Sequence, residues 1–218
     1  MCTDVLGWFS KKYHPQDKRD LGAYIVHKIP LYRDLMLWLG VVDAGKTTAH
    51  KLLASGRSMY LIPGGVMEQM LTIEGKHRVY LNTRKGFVRL AVEFGTDLVP
   101  VYTFGETSLF SLSPFLLNFR LWIASKFQIA IPIFYSKRWG IPIPFLNYPV
   151  PLKVCVGPPI KVNQMSPSHP NFHEYVDEMH QQFKTALTEL FEKHKVHCGY
   201  PDAILEFLPI IHSKTKND

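Results

Sequence analysis

The chain has 218 residues, 46% of them hydrophobic and 20% charged, with a formal net charge of +7. That length can bury a sizeable core, and the composition excludes a disordered or fibrous chain. The positive charge suits anionic partners, but the 25 Lys and Arg residues are scattered without a long basic block, which argues against nucleic acid and towards a membrane surface or a phosphate-bearing ligand.

Residues 1–20 lack the apolar core of a signal peptide. Cys2, Cys155 and Cys198 lie too far apart in sequence for a disulfide framework or a zinc site, and read as free thiols. Leu21 to Leu39 reads as a helical stretch broken at Pro30, and Val41-Val42 as a short strand after Gly40. Thr47 to Ser55 reads as a helix stopped by Gly56. Ser58 to Ile62 is an apolar strand that enters a Pro63-Gly64-Gly65 turn, and Arg78 to Leu81 is an exposed strand or turn.

Thr83 to Phe94 reads as a helix capped by Thr83 and ended by Gly95, with Phe87, Leu90, Ala91 and Phe94 on one face. Leu98 to Phe104 is β-rich and apolar, the pattern of a buried strand. Ser108 to Pro149 is the least regular region, dominated by aromatic and Pro residues. No uncharged apolar run reaches the roughly 20 residues of a membrane-spanning helix. The best candidate, Leu109 to Ile123, contains Pro114 and Arg120. It reads either as an interfacial segment with Arg120 and Lys126 snorkelling, or as a helix packed on the core. Pro151 to Val156 is another strand, followed by a turn at Gly157-Pro158-Pro159-Ile160. Phe172 to His194 is a long amphipathic helix with Tyr175, Met179, Phe183, Leu187, Leu190 and Phe191 as its apolar stripe, and the tail after Pro209 is polar and frayed. Helices alternating with strands through tight turns predict one α/β domain.

Two turns carry candidate chemistry. Gly64 and Gly65 directly follow a strand, where paired glycines let the backbone approach a ligand, and free N–H groups at a following helix favour an anion. Glu68 lies one turn further on. Arg84, Lys85 and Arg89 are cations able to pair with phosphate or carboxylate, against the plainer reading of a solvated face. Glu106 follows Phe104-Gly105 at the C-terminal end of an apolar strand, the place where α/β sheets bind ligands. An ordinary cap or surface acid is the competing reading. The ten histidines form no metal-spaced set; His169 and His173 are four apart, but beside Pro170 they read as loop residues. No serine sits in a Gly-x-Ser-x-Gly elbow.

These blocks resemble one family, the type-2 diacylglycerol acyltransferases with their monoacylglycerol and wax-ester relatives. The likeness rests on Pro63-Gly64-Gly65 with Glu68. It rests most on Arg84-Lys85-Gly86-Phe87-Val88, Ala91, Gly95, Leu98-Val99-Pro100-Val101 and Phe104-Gly105-Glu106. Ile29-Pro30-Leu31-Tyr32-Arg33, Trp38 to Val42, Pro144-Phe145, Val156 to Ile160 and Leu190 to Lys195 with Gly199 extend it over nearly the whole chain.

The resemblance implies a glycerol-phosphate-acyltransferase-like α/β fold, a single domain over residues 1–218 with a mixed central sheet flanked by helices. It implies transfer of a fatty acyl group from acyl-CoA to the hydroxyl of an acylglycerol or long-chain alcohol, at the endoplasmic reticulum membrane and lipid droplets. Acyl-CoA is then a co-substrate, with no further cofactor, no metal and no nucleic-acid partner. Pro63, Gly64, Gly65, Glu68, Arg84, Lys85, Gly86, Phe87 and Arg89 become the expected substrate-binding residues, with Glu106 in support of catalysis. The family's proposed general base is a His in a His-Pro-His-Gly block. That block does not occur in the 218 residues, where His14-Pro15 is followed by Gln16-Asp17. The family's apolar N-terminal hairpin is likewise not among them. The expectation is that the sequence begins just past the catalytic motif. Lys46 stands where related acyltransferases tend to carry Arg, keeping the charge without the bidentate fork. The alternative is a non-catalytic lipid- or membrane-binding paralogue.

Overall fold

The computed structural model describes residues 18–109, 111–127, 133–135 and 150–209. Cys2, the His14-Pro15 pair, Pro144-Phe145 and the tail beyond Pro209 lie outside the described residues. The chain divides into two compact units: Met1–Pro63, Lys85–Pro100 and Gly157–Phe183 form one, and Gly64–Arg84, Val101–Val156 and Lys184–Asp218 the other.

The first unit holds a three-stranded parallel sheet, with β1 (Arg19–Gly22) between β2 (Val41–Asp43) and β3 (Met59–Tyr60). The helical stretch expected from Leu21 is therefore overturned at its start, because residues 19–22 pair with two other strands. A 3-10 turn (Tyr24–Lys28) follows, and helix α1 (Tyr32–Trp38) begins just after Pro30. Helix α2 (Lys46–Ala54) is followed by Ser55 and Gly56 as expected. Helix α4 (Gly86–Phe94) starts later than the predicted Thr83. The Arg84 N–H donates to the Leu81 carbonyl at 2.9 Å, so the chain turns once before the helix, and Thr83 does not cap it. Gly95 ends it in the left-handed conformation.

Val88, Ala91 and Val92 are buried on α4, as are Ala49, Leu52 and Leu53 on α2. Phe87 meets Phe183 edge to face, with ring centroids 5.0 Å apart. Phe183 belongs to α6 (Phe172–Cys198), the predicted amphipathic helix, on which Met179, Phe183, Leu187, Leu190 and Phe191 are all buried. Leu98 and Ile160 form an antiparallel bridge.

The second unit holds three two-stranded sheets. β4 (His77–Val79) runs parallel to β9 (Leu205–Phe207). β5 (Val101–Phe104) runs antiparallel to β8 (Lys153–Val156). β6 (Ser111–Leu112) runs antiparallel to β7 (Phe134–Tyr135). Helix α3 (Gly65–Met70) and helix α5 (Leu117–Phe127) belong to this unit, as does α6 from Lys184 onward. One core cluster gathers Met67, Met70, Tyr80 and Ala124 with Leu117 and Leu121 against it. Another stacks Phe104 on Phe191 at 5.2 Å and on Tyr200 at 5.7 Å.

Two expectations change here, and one of two open readings of Arg120 drops out. Among the described residues the strands form four small sheets rather than one central sheet. β4 is not exposed, since His77 and Val79 are buried beside β9, a partner 128 residues away in sequence. Arg120 does not snorkel: it is 2% exposed, and its Nη1 donates to the carbonyls of Ser113 at 2.7 Å and Phe115 at 3.0 Å. Phe115, Leu116, Phe119 and Trp122 remain exposed on and before α5. No helix among the described residues is long and apolar enough to cross a membrane.

Candidate functional site

The site lies in the second unit and begins at the glycine turn. Gly64 has ordinary helical dihedrals, and Gly65 has φ +56°. The close approach explains Gly64: a Cβ built there collides with the Glu68 side chain, which folds back over it. Glu68 Oε2 accepts a hydrogen bond from the Tyr80 N–H at 2.6 Å. The turn thus packs against the protein's own carboxyl group. Arg84 lies over the Tyr80 ring, with its guanidinium carbon 5.2 Å from the centroid. Its Nε is buried without a hydrogen-bond partner among the described residues. Asn82 holds the turn before Arg84, donating to the Leu208 carbonyl and accepting from Lys184 Nζ, each at 2.8 Å.

β5 supplies the other wall. Gly105 has φ +91°, and a Cβ there would stand 2.5 Å from the Pro151 carbonyl oxygen, so only glycine carries the strand into the Glu106 turn. Burial raises the Glu68 pKa first of all; the Glu106 charge adds to this, while the Tyr80 N–H and Arg84 pull the other way. Burial also raises the Glu106 pKa. Glu106 keeps an exposed surface even so, which leaves its carboxyl reachable while the surrounding protein displaces part of its water. Tyr102, two residues before Phe104, has its pKa raised by burial and then by the charges of Glu106 and Glu68, so its phenol stays protonated. Its hydroxyl lies 2.9 Å from Nδ1 of His77. Glu68, Tyr102, Glu106 and Arg84 form one electrostatic group, and His77 adjoins it through Tyr102. It offers carboxyl and hydroxyl groups able to hold an alcohol O–H, against a single guanidinium.

Of the residues singled out from sequence, Gly64, Gly65, Glu68, Arg84 and Glu106 come together in this unit. Pro63, Lys85, Gly86, Phe87 and Arg89 belong to the other. There Lys85 Nζ pairs with Asp177 at 2.6 Å across an exposed surface, Phe87 is a core side chain, and Arg89 is exposed. Arg84 and Lys85 precede α4 rather than sitting on it. His77 and Tyr102 were missed as a pair. The signal was a tyrosine on an otherwise apolar strand, four residues before Glu106, and no local spacing joins it to His77. No group of three or more metal-ligating side chains occurs among the described residues.

An α/β protein with a partly buried carboxyl, tyrosine and arginine cluster at the end of a strand is thereby defined. The family model for diacylglycerol acyltransferase matches residues 16–207, and the chain belongs to that family. It is 34% identical over 180 residues to the diacylglycerol O-acyltransferase 1 of Eremothecium gossypii, covering 79% of this chain and 39% of that protein. It is 34% identical over 187 residues to human 2-acylglycerol O-acyltransferase 3, covering 79% and 53%. It is 32% identical over 189 residues to human diacylglycerol O-acyltransferase 2, covering 80% and 47%. The chain therefore spans about half the length of these relatives or less. No solved structure matches it.

Proposed function

We propose that this chain is an acyl-CoA-dependent O-acyltransferase that esterifies the hydroxyl of an acylglycerol in neutral-lipid synthesis, with its acceptor side at the glycine turn. The observation that carries this reading is the cluster of Glu68, Tyr102, Glu106 and Arg84 at the glycine turn. Two carboxyl groups face one guanidinium there, a balance that repels phosphate and accepts a neutral alcohol. The Glu68 carboxyl already fills the space over Gly64, so the turn suits an acceptor hydroxyl better than the phosphates of CoA. Arg89, exposed on α4, is a cation of the kind those phosphates require.

In the reaction the acceptor oxygen attacks the thioester carbonyl, its proton passes to a base, and CoA leaves as the thiol. Glu68 is committed to the Tyr80 N–H, so Glu106 is the carboxyl free to hold the acceptor hydroxyl. A carboxyl with a raised pKa is a stronger proton acceptor than an ordinary surface one. Acyl-CoA serves as co-substrate, and the chemistry calls for no other cofactor. The expected location is the endoplasmic reticulum membrane or a lipid droplet, where both lipids reside; the exposed Phe115, Leu116, Phe119 and Trp122 fit a headgroup layer. The parallel β1–β3 sheet with helices between its strands supports a variant of the glycerol-phosphate-acyltransferase fold.

The test is incorporation of labelled acyl groups from acyl-CoA into triacylglycerol by the purified chain in mixed micelles with diacylglycerol. Product is expected, falling about tenfold or more in Glu106→Gln, the scale of losing one hydrogen bond to the reacting group. No product above the Glu106→Gln and Gly64→Val controls, with diacylglycerol still bound, would favour the non-catalytic lipid-binding alternative.

A further inference from the structure

His77 opens β4 and is 3% exposed. Four rings enclose its imidazole, with centroids at 4.9 Å for Tyr200, 5.2 Å for Phe191, 5.9 Å for Phe104 and 6.1 Å for Tyr102. Nδ1 meets the Tyr102 hydroxyl at 2.9 Å, while Nε2 is buried with no hydrogen-bond partner among the described residues. A phenylalanine would fill this aromatic cage and remove the orphan Nε2, at the cost of the contact to the Tyr102 hydroxyl. An unsatisfied buried nitrogen is a standing cost, so packing does not account for a histidine here. Among the described residues, the polar contact left to explain it is Tyr102.

Tyr102 is only half-buried. The charges acting on its phenol come from Glu106 after β5 and Glu68 on α3, while Arg84 acts on Glu68 and the Tyr200 ring lies after α6. A carboxylate on that side can only accept a hydrogen bond, and the phenol is the donor it would take. With the hydroxyl so directed, the Tyr102 oxygen accepts from His77 and the imidazole proton is on Nδ1, an arrangement the 2.9 Å contact allows. The bare Nε2 that results is an orphan acceptor, better tolerated in a protein interior than an orphan N–H. Burial keeps the ring neutral by lowering its pKa, which fits this arrangement.

We propose that His77 is a positioning residue for acyl transfer: by donating its Nδ1–H to Tyr102, it turns the phenolic O–H towards the carboxyl-lined side, where that hydroxyl touches the reacting acceptor oxygen or thioester carbonyl. This rests on the acyltransferase reading above and adds two residues to it. The hydroxyl makes one charge-assisted hydrogen bond during the reaction, and the buried imidazole acts only through it.

The experiment measures kcat and KM for His77→Phe, His77→Asn, Tyr102→Phe and the double variant His77→Phe/Tyr102→Phe, together with thermal unfolding of each. Tyr102→Phe is expected to lower kcat roughly tenfold with KM changed less than about twofold. His77→Phe should do the same with little change in unfolding temperature, because it removes the stranded nitrogen along with the partner of the Tyr102 hydroxyl. The double variant should be no slower than Tyr102→Phe alone, and His77→Asn, whose amide can donate to Tyr102, should recover activity. A His77→Phe enzyme as fast as wild type, or losses that multiply in the double variant, would overturn the role. Imidazole 15N spectra of the unmutated chain give a readout independent of variant folding: a proton on Nδ1 supports the assignment, and one on Nε2 overturns it. If wild type transfers no acyl group, the acyltransferase reading itself fails. If wild type is active and His77→Phe matches it, that reading stands and only the role of His77 falls.

Discussion

The ends and the middle of the stretch from Arg84 to Glu106 do different work, although the sequence presents them as one block. Its two ends, Arg84 and Glu106, enter the polar cluster of one unit and act on the same Glu68 carboxyl. Its middle, from Phe87 to Val92, is a helix of the other unit that buries Phe87, Val88, Ala91 and Val92. A long uniform signature can therefore hold chemistry only where backbone turns deliver side chains out of the regular elements. The reason is periodicity: within a helix the fixed apolar positions face a core, and the ligand-bearing positions gather where the period breaks.

Aromatic truncations test this contrast with the largest expected effect. Phe104→Ala and Phe87→Ala each remove a buried ring and should cost about 3–5 kcal/mol in urea unfolding. They should differ in the protein that remains folded. Phe104→Ala empties the stack under Tyr102 and His77, so kcat is expected to drop, whereas Phe87→Ala should change activity only through the folded fraction. A greater kcat loss in folded Phe87→Ala would break the contrast.

Glu68 sharpens it at an intermediate scale. Glu68→Ala leaves the Tyr80 N–H without its acceptor and should cost about 1–3 kcal/mol. The pH dependence has a defined sign. Folding raises the pKa of Glu68 and Glu106, so the folded state holds their protons more tightly than the unfolded chain. Their contribution is fully present below the ordinary glutamate pKa and is lost as pH rises through the higher folded values. Denaturant midpoints across that range should fall with pH in wild type, and the decline should flatten in Glu68→Gln/Glu106→Gln. An unchanged slope would show that the two carboxyls are not desolvated by the fold.

Lys85→Ala has the smallest expected effect. Its ion pair with Asp177 is exposed on both sides, and such pairs contribute at most about 1 kcal/mol. Unfolding in low and high salt would check this, since wild type and variant should converge as salt screens the pair. A loss that persists in high salt would give Lys85 a role beyond the surface.

Much of the local structure was legible because it depends on neighbours in the chain. Gly56 and Gly95 stop their helices, the α6 stripe is buried where its period places it, and Glu106 does follow a strand-ending glycine. The misreadings share a cause. Leu21 and Gly22, the end of β1, read as helix because its partners, β2 and β3, lie elsewhere in the chain. β4 read as exposed because β9 covers it from the far end of the sequence. For Arg120 the sequence left a snorkelling and a core-packed reading open, and only the fold of Ser113 and Phe115, whose carbonyls accept from it, decides against snorkelling.

The candidate site followed the same rule. Gly64, Glu68, Arg84 and Glu106 could be named from their turns, while His77 and Tyr102 could not, because their hydrogen bond joins two strands that no local pattern relates. By itself the sequence determined the family and the helix stops, which depend on residue types and on neighbours along the chain. Tertiary structure alone decided which carboxyls lose water, which cations are engaged and which histidine meets a tyrosine, because desolvation and charge act through space between groups distant along the chain.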